Sequence, residues 1–329
     1  MTTLSVVMPV HDEASSLGQT IEALLGSLEH SGFDAEIVLV DDGSSDGSGE
    51  IARGAVAGRA AFRVVTQQNR GRFEARRAGL ETATGEWALL LDGRVRVRPG
   101  ALRYVHDRIR EGREIWTAHV DVDVDGSPYG AFWNLLAELA WSDYFDSPHD
   151  TSFGTDEFDR YPKGTTCFLA PRRLLLDATA SFRSKYGDVR NANDDTPMLR
   201  WLAERRSINV SPDFRCTYRP RTTLSAFLRH SLHRGVVFLD GHGRPESRFF
   251  PAVVAFYPAS AFLTVAAVRR PALIPAAVAA TSIAAGALGV FRRRSAFEVA
   301  ALASLSPLYA VAHGAGMWRG LALWARNGL

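Results

Sequence analysis

The sequence predicts an α/β protein built on a mostly parallel sheet and continued by an apolar helical tail. Three observations predict it. Short, continuously apolar runs alternate with helical spacings over residues 4–92, the pattern of strands buried on both faces and joined by crossover helices. Carboxylates recur where those runs end, at the strand edge where open α/β sheets hold ligands. From about residue 249 the chain becomes Ala-rich and nearly uncharged.

Each element follows in order. "LSVVMPV" reads as a buried strand, and Leu17, Ile21, Leu24, Leu25 and Leu28 then recur at helical spacing, with Ser15 or Ser16 as the expected N-cap. "AEIVLVDD" is a second strand, and Ser45 or Asp46 caps a helix around Glu50 to Val56. "FRVVTQ" is a third strand; Phe73 to Thr84 forms a helix closed by Gly85, and "EWALLLD" is the fourth strand. Beyond it lie a strand "EIWTAHV", an aromatic-rich helix around Phe132, Leu135, Leu136 and Leu139, the segment "KGTTCFLAPRRLLL", and the acidic stretch "NANDDTPMLRWLAE".

Composition narrows the class. A chain of 329 residues with 46% hydrophobic content holds a full core. A formal charge of +2 gives no reason to expect nucleic acid, and the basic residues are almost all arginine, Lys163 and Lys185 being the only lysines. Cys167 and Cys216 form no disulfide framework or zinc spacing. No signal peptide is read at the start, which places the N-terminal part in the cytoplasm. Residues 249–268 and 271–291 carry no charge, and about 20 helical residues cross a hydrocarbon core of about 30 Å. A third stretch, 295–318, holds Glu298 and His313 and is the weaker span. The expected organisation is a catalytic domain over 1–220, an amphipathic linker over 221–248 and membrane-associated helices over 249–329.

At the sheet edge the residues leave choices open. Asp41 and Asp42 suit the N–H of a nucleobase and the hydroxyls of a ribose, and "NRGRFEARR" suits a diphosphate. The plainer alternatives are an Asp/Ser/Gly turn and, for Arg70, Arg72, Arg76 and Arg77, a solvated helix face. Asp194 and Asp195 precede the helix "TPMLRWLAERR", with Pro197 in its first turn. One of the pair titrates high and serves as a base, or both simply favour the helix N-terminus. Asp121, Asp123 and Asp125 alternate on one strand face, as an acceptor or metal site would, or as a polar edge strand does.

The stretches "SVVMPVHDEASSLGQTIEALL", "IVLVDDGSSDGS", "NRGRFEARRAGLETATGEWALLLD" and "NDDTPMLRWLAERR" together resemble the successive motifs of family 2 glycosyltransferases with a GT-A fold. The resemblance covers roughly residues 4 to 235. It implies inverting transfer of a sugar from a nucleotide-sugar donor, and a chain of this kind with an apolar tail is expected at the cytoplasmic membrane, its catalytic domain facing the cytoplasm. Pro9, Val10, His11 and Glu13, with Asp41 and Asp42, match the segments that hold the nucleoside; Arg70, Arg72, Asp92 and Arg94 complete the donor side. Asp195 matches the general base on the acceptor hydroxyl, with Asp194 orienting it or touching the acceptor.

Two departures qualify that expectation. Relatives end the fourth strand in Asp-x-Asp, whose second acid binds Mg²⁺ or Mn²⁺; here the sequence is "LLLDGRVRVRP", and Arg94 stands in that place. Either Asp92 alone holds a cation with waters and phosphate oxygens, or Arg94 is itself the counter-charge to the diphosphate. A Gln-x-x-Arg-Trp motif of processive synthases is missing, and His230, His233 and Arg234 occupy that region as expected pyrophosphate or acceptor-phosphate contacts, or as a face on anionic headgroups. The expected activity is therefore non-processive transfer to a lipid-linked or glycan acceptor. A polyprenyl-phosphate sugar synthase and a nucleotide-sugar-binding membrane scaffold are the alternatives. A dinucleotide-binding dehydrogenase is disfavoured, because no Gly-x-Gly-x-x-Gly follows the first strand.

Overall fold

A computed structural model describes residues 2–187 and 189–327. Met1, Asp188, Gly328 and Leu329, which fall within the expected domain ranges, lie outside the described residues. The chain divides into two compact units, one of residues 1–123, 141–183 and 194–219, the other of 124–140, 184–193 and 220–329. The second unit thus takes two segments from within the expected 1–220 range.

The first unit is built on one sheet. Its strands are β1 (Thr2–Val10), β2 (Phe33–Asp41), β3 (Ala61–Thr66), β4 (Trp87–Leu91), β5 (Val95–Val97), β6 (Ile115–Val122), β7 (Thr151–Phe153), β8 (Cys167–Pro171) and β9 (Ile208–Tyr218). Their order is β3-β2-β1-β4-β8-β6-β9-β5, with β7 also on β9. β1 to β4 are mutually parallel, while β8 runs antiparallel to both β4 and β6. The four expected N-terminal strands are all present. β1, β2 and β4 hold nearly continuous buried apolar runs because helices cover both faces, while β3, at the sheet edge, has no fully buried residue.

Those helices are α1 (Ala14–Leu28), α2 (Ser48–Val56), α3 (Arg72–Thr82) and α4 (Ala101–Arg110). Leu17, Ile21 and Leu24 on α1 are fully buried against Val6, Met8 and Leu39 on one side of the sheet. Burying such a side chain contributes about 1.5–3 kcal/mol. On the other side α3 sits close enough that a Cβ on Gly79 would lie 2.4 Å from Val7 Cγ1.

Three local expectations are corrected. α1 is capped at Glu13 rather than Ser15 or Ser16, because the Ser16 hydroxyl instead donates to the Gly93 carbonyl. α2 starts after Gly47, with Asp46 accepting from the Ser48 N–H. α3 ends at Thr82 with Ala83 as its C-cap, so Gly85 does not close it. Gly85 permits β4 to pass β1, where a Cβ would lie 2.7 Å from the Ser5 nitrogen.

Three more helices complete this unit: α6 (Ser142–Phe145), α7 (Arg172–Ser181) and α8 (Asp195–Ala203). The second unit contains α5 (Pro128–Ala140), α9 (Leu224–His242), α10 (Phe250–Arg269), α11 (Leu273–Phe291) and α12 (Ala296–Asn327). The last three are long and apolar enough to cross a membrane.

Candidate active site

The loops that follow β1 to β4 interlock at the carboxyl edge of the sheet. Asp12 adopts a left-handed backbone (φ 52°) and its carboxylate accepts the Ser45 N–H at 2.8 Å. Asp46 returns the contact by accepting the Ala14 N–H at 2.8 Å. Pro9 and Val10 close β1 beside Val40 and Asp41 of β2, and Val10 O accepts the Asp42 N–H. Asn69 Nδ2 lies 2.9 Å from His11 Nε2. The sequence places His11, Asp41 and Asn69 far apart, and parallel pairing brings them to one edge.

Asp41 and Asp42 differ in kind. Asp42 is buried and accepts from Gln67 Nε2 (2.7 Å) and from the backbone N–H of Arg70 (2.8 Å) and Gly71 (2.9 Å). It shapes the loop ahead of α3. Asp41 is only half-buried and accepts the Ser44 N–H at 2.8 Å. Arg70 is well exposed beside Glu74.

The centre of the site is Arg76. Its guanidinium is 3% exposed, with Nη2 2.9 Å from Asp92 Oδ1 and Nη1 2.7 Å from Asp194 Oδ2 and 3.0 Å from Asp195 Oδ1. Arg72, one turn earlier, donates to Asp194 Oδ1 at 2.9 Å. The Thr165 hydroxyl donates to Asp195 Oδ1 through a short hydrogen bond. Two arginines thus bind three carboxylates drawn from β4 and from the start of α8. Burial alone would push the Asp194 carboxyl up, but Arg72 and Arg76 outweigh it and hold that group down at about 2. Asp194 is therefore ionised at neutral pH. It is also the N-cap of α8, where the helix dipole favours the same charge.

Arg94 forms a second ion pair, its Nε 2.5 Å from Glu13 Oε2, both side chains largely buried. Asp92, the remaining acid of the expected Asp-x-Asp, already faces Arg76. Among the described residues no group of three His, Cys, Asp or Glu side chains is arranged to hold a metal ion. This donor set does not fit a divalent cation held by the protein. The alternating acids do not supply one either: Asp121 pairs with Arg215 (2.8 Å) and Arg98 (3.3 Å), and Asp123 with Arg96 (2.6 Å). β6 ends at Val122, so Asp125 lies beyond the strand and the expected three-residue face is not formed.

Residues 5–168 match the family model "Glycosyl transferase family 2". The N-terminal half of the chain is a family 2 glycosyltransferase domain. Undecaprenyl-phosphate 4-deoxy-4-formamido-L-arabinose transferase of Aeromonas hydrophila is 32% identical to the chain over 114 residues, 34% of this chain and 35% of that protein. Glycosyltransferase GlyG of Streptococcus pneumoniae is 30% identical over 109 residues. The chain spans about a third of the length of these curated relatives. The crystal structure of S. aureus TarS 1-349 in complex with UDP superposes with a TM-score of 0.55 at 16% identity, over 100% of this chain and 92% of that one. That likeness establishes the GT-A fold of the transferase domain.

His230, His233 and Arg234 belong to the second unit, on α9. Trp133 of α5 packs edge-on against His230 at 4.8 Å, and the Arg234 guanidinium lies 5.8 Å from the Trp133 ring. Thr165 is the residue that sequence reasoning passed over, and Arg76, grouped there with Arg70, Arg72 and Arg77 as a diphosphate contact or a solvated helix face, is instead buried among carboxylates. Arg72 and Arg76 are four apart and so share a helix face, and that spacing was the available signal. Arg77 is the solvated member, paired with Glu74. Nothing in the local sequence around "KGTTCFLAP" marks Thr165.

Proposed function

We propose that this protein is an inverting, non-processive glycosyltransferase that moves one sugar from a nucleoside diphosphate to a lipid-linked or cell-envelope glycan acceptor. It works at the cytoplasmic face of a membrane. The observation that carries the reading is the gathering of Asp92, Asp194 and Asp195 around one buried arginine next to the loops that end β1 to β4. Inversion in one displacement requires a base opposite the leaving nucleotide. Arg76 and Thr165 both donate to Asp195 Oδ1, so Oδ2 is the oxygen that takes the acceptor proton. Asp194 keeps Arg72 and Arg76 in place rather than exchanging a proton.

On the donor side, the loops of Pro9 to Glu13 and Asp41 to Ser45 form the nucleoside cradle. Arg70, Arg72 and Arg94 supply the positive charge that a leaving diphosphate needs, and no step is routed through a metal. Related structures support a nucleotide-sugar donor, since crystal structures of TarS are of its complexes with UDP and with UDP-GlcNAc.

Calorimetric titration of the detergent-purified protein with UDP, GDP and TDP, with Mg²⁺ or Mn²⁺ and again with EDTA, tests the donor side. Binding of one nucleotide that survives EDTA is expected; binding of none would remove the transferase reading and favour the scaffold. Asp195→Asn should abolish transfer while keeping that binding, and full activity in this variant would refute the base. A second reading rests on the Aeromonas relative, whose name gives a polyprenyl phosphate as acceptor. A phosphate acceptor is already ionised and needs little help from a base. Under that reading Asp195→Asn lowers transfer only mildly.

A further inference from the structure

The stretch that leads into the acid pair is held by a helix of the second unit. α7 ends at Ser181 and α8 begins at Asp195, with one short 3₁₀ turn, Val189–Asn191, between them. Residues 184–193 belong to the second unit, while Asp194 and Asp195 belong to the first. Backbone outside regular elements still needs a partner for each buried N–H, and here one side chain on α9 supplies it at both ends of the stretch. The Asp240 carboxylate is fully buried. Its Oδ1 accepts the Lys185 N–H at 2.7 Å, and its Oδ2 accepts the Asn193 N–H at 2.8 Å and the Ser184 hydroxyl at 3.1 Å. A buried charge is costly unless donors meet it. These three donors offset that cost, and in doing so they tie positions 184, 185 and 193 to one point.

The same helix seats the rest of the stretch. Asn193 Nδ2 reaches Val237 O at 3.4 Å and would lie 2.2 Å from a Cβ on Gly241, so the backbone of α9 runs close against it. Tyr186 is fully buried, and its hydroxyl donates to Val236 O. α9 is in turn braced by α12. A Cβ on Gly235 would lie 2.0 Å from His313 O, and one on Gly316 would lie 2.0 Å from Leu232 O. Glycine allows this approach of two backbones. Gly320 of α12 meets the stretch itself, since a Cβ there would lie 2.7 Å from the Tyr186 hydroxyl oxygen. The carboxylate that ties the stretch therefore stands on a helix fixed by close packing. A fully satisfied buried polar network of this kind rigidifies what it joins.

We propose that Asp240 is a positioning residue for the acid pair. Asn193 is bonded directly to Asp194, and consecutive Cα atoms lie about 3.8 Å apart, so a displacement of the Asn193 N–H reaches Asp195 within two residues. Asp240 acts through that peptide and not on reacting atoms. By fixing where the chain enters α8, it keeps Asp194 against Arg72 and Arg76 and leaves Asp195 Oδ2 free to take a proton. The last step rests on the reading of Asp195 as the base; the hold on Asp194 does not.

Carboxyl footprinting of the detergent-purified full chain, with a water-soluble carbodiimide and glycine ethyl ester read by mass spectrometry, tests this without an acceptor. Asp194 and Asp42 are almost equally buried in the parent, at 4% and 3% exposure, and Asp42 lies outside the stretch. In Asp240→Ala the labelling of Asp194 should rise about tenfold, the change in local opening that follows loss of a hydrogen bond to a charged group, while Asp42 keeps its protection. Asp240→Asn, which keeps one acceptor oxygen, should fall between, and with Ser184→Ala it carries the test if the alanine variant does not fold. Unchanged labelling of Asp194, or an equal rise at Asp42, would overturn the proposal. In the transfer assay used for Asp195→Asn, Asp240→Asn should lower kcat about 10- to 100-fold with donor KM unchanged. Full kcat in that variant also overturns the positioning role. A fully active Asp195→Asn would instead sink the base, and the footprint would still decide whether Asp240 holds Asp194.

Discussion

Replacing Arg76 by Met keeps an apolar stem of similar length and removes the cation that three carboxylates share. In the parent, Arg76 and Arg72 face Asp92, Asp194 and Asp195, with nitrogen–oxygen distances of 2.7 to 3.0 Å. Removing one partner of a buried ion pair costs about 3–5 kcal/mol, because the charge left behind has lost both water and its counter-ion. For a unit of this size each kcal/mol shifts Tm by about 2–4 °C, so the variant should melt about 6–20 °C lower at pH 7.5. The pH dependence separates charge from packing. In the parent, the Asp194 carboxyl is held down at about 2, so its stabilising contribution is complete above the ordinary value of 3.8 and is lost as pH falls from there through 2. In the variant the carboxylates repel one another and bind protons more readily in the folded state, so its stability falls as pH rises through the weakly acidic range. The gap in Tm, followed by tryptophan fluorescence in detergent, should therefore be wider at pH 7.5 than at pH 4.5. Arg76→Lys, which restores a point charge without the planar fork, should recover part of it. A gap equal at both pH values would show that Arg76 acts through packing alone and would refute the electrostatic account.

Thr165→Val keeps the shape of the side chain and removes the donor to Asp195 Oδ1. Loss of one such bond, worth about 1–1.5 kcal/mol, should lower kcat about 5- to 15-fold with nucleotide affinity unchanged; a matching loss of nucleotide affinity would count against a role on the base. Asp42→Ala removes the acceptor of three donors and should cost about 2–4 kcal/mol. Hydrogen exchange at the Arg70 and Gly71 amides should speed up, and unchanged protection there would refute the loop-shaping role.

The first four strands were legible because each is a local property: an apolar run of the right length, bounded by turn residues and followed by a helical period. The acids at their carboxyl ends were legible for the same reason, since parallel strands deliver their C-terminal residues to one edge. Local pattern was less reliable for caps. Ser16 has the chemistry of an N-cap, yet its hydroxyl is taken by the Gly93 carbonyl, 77 positions away. Asp41 and Asp42 look alike in sequence and divide into a half-exposed and a buried residue only once the loop after β3 folds over the second of them.

By itself the sequence determined the α/β class, the family, the position of the acidic pair ahead of α8, the loss of the second metal-binding acid at Arg94 and the two charge-free helices. The class and the helices follow from composition and periodicity within a few tens of residues, and the family and the departure at Arg94 from the resemblance of the ordered motifs. Only the tertiary structure decided that Arg76 leaves the company of Arg70 and Arg77 to sit buried among Asp92, Asp194 and Asp195, the last two of them 118 and 119 positions away. It also decided that α12, apolar enough to span, is held by glycine contacts to polar α9. The physical reason is common to both. A buried charge is tolerated only beside its counter-charge, and close helix contact requires small residues on both partners; in each case the partner is supplied by a distant part of the chain.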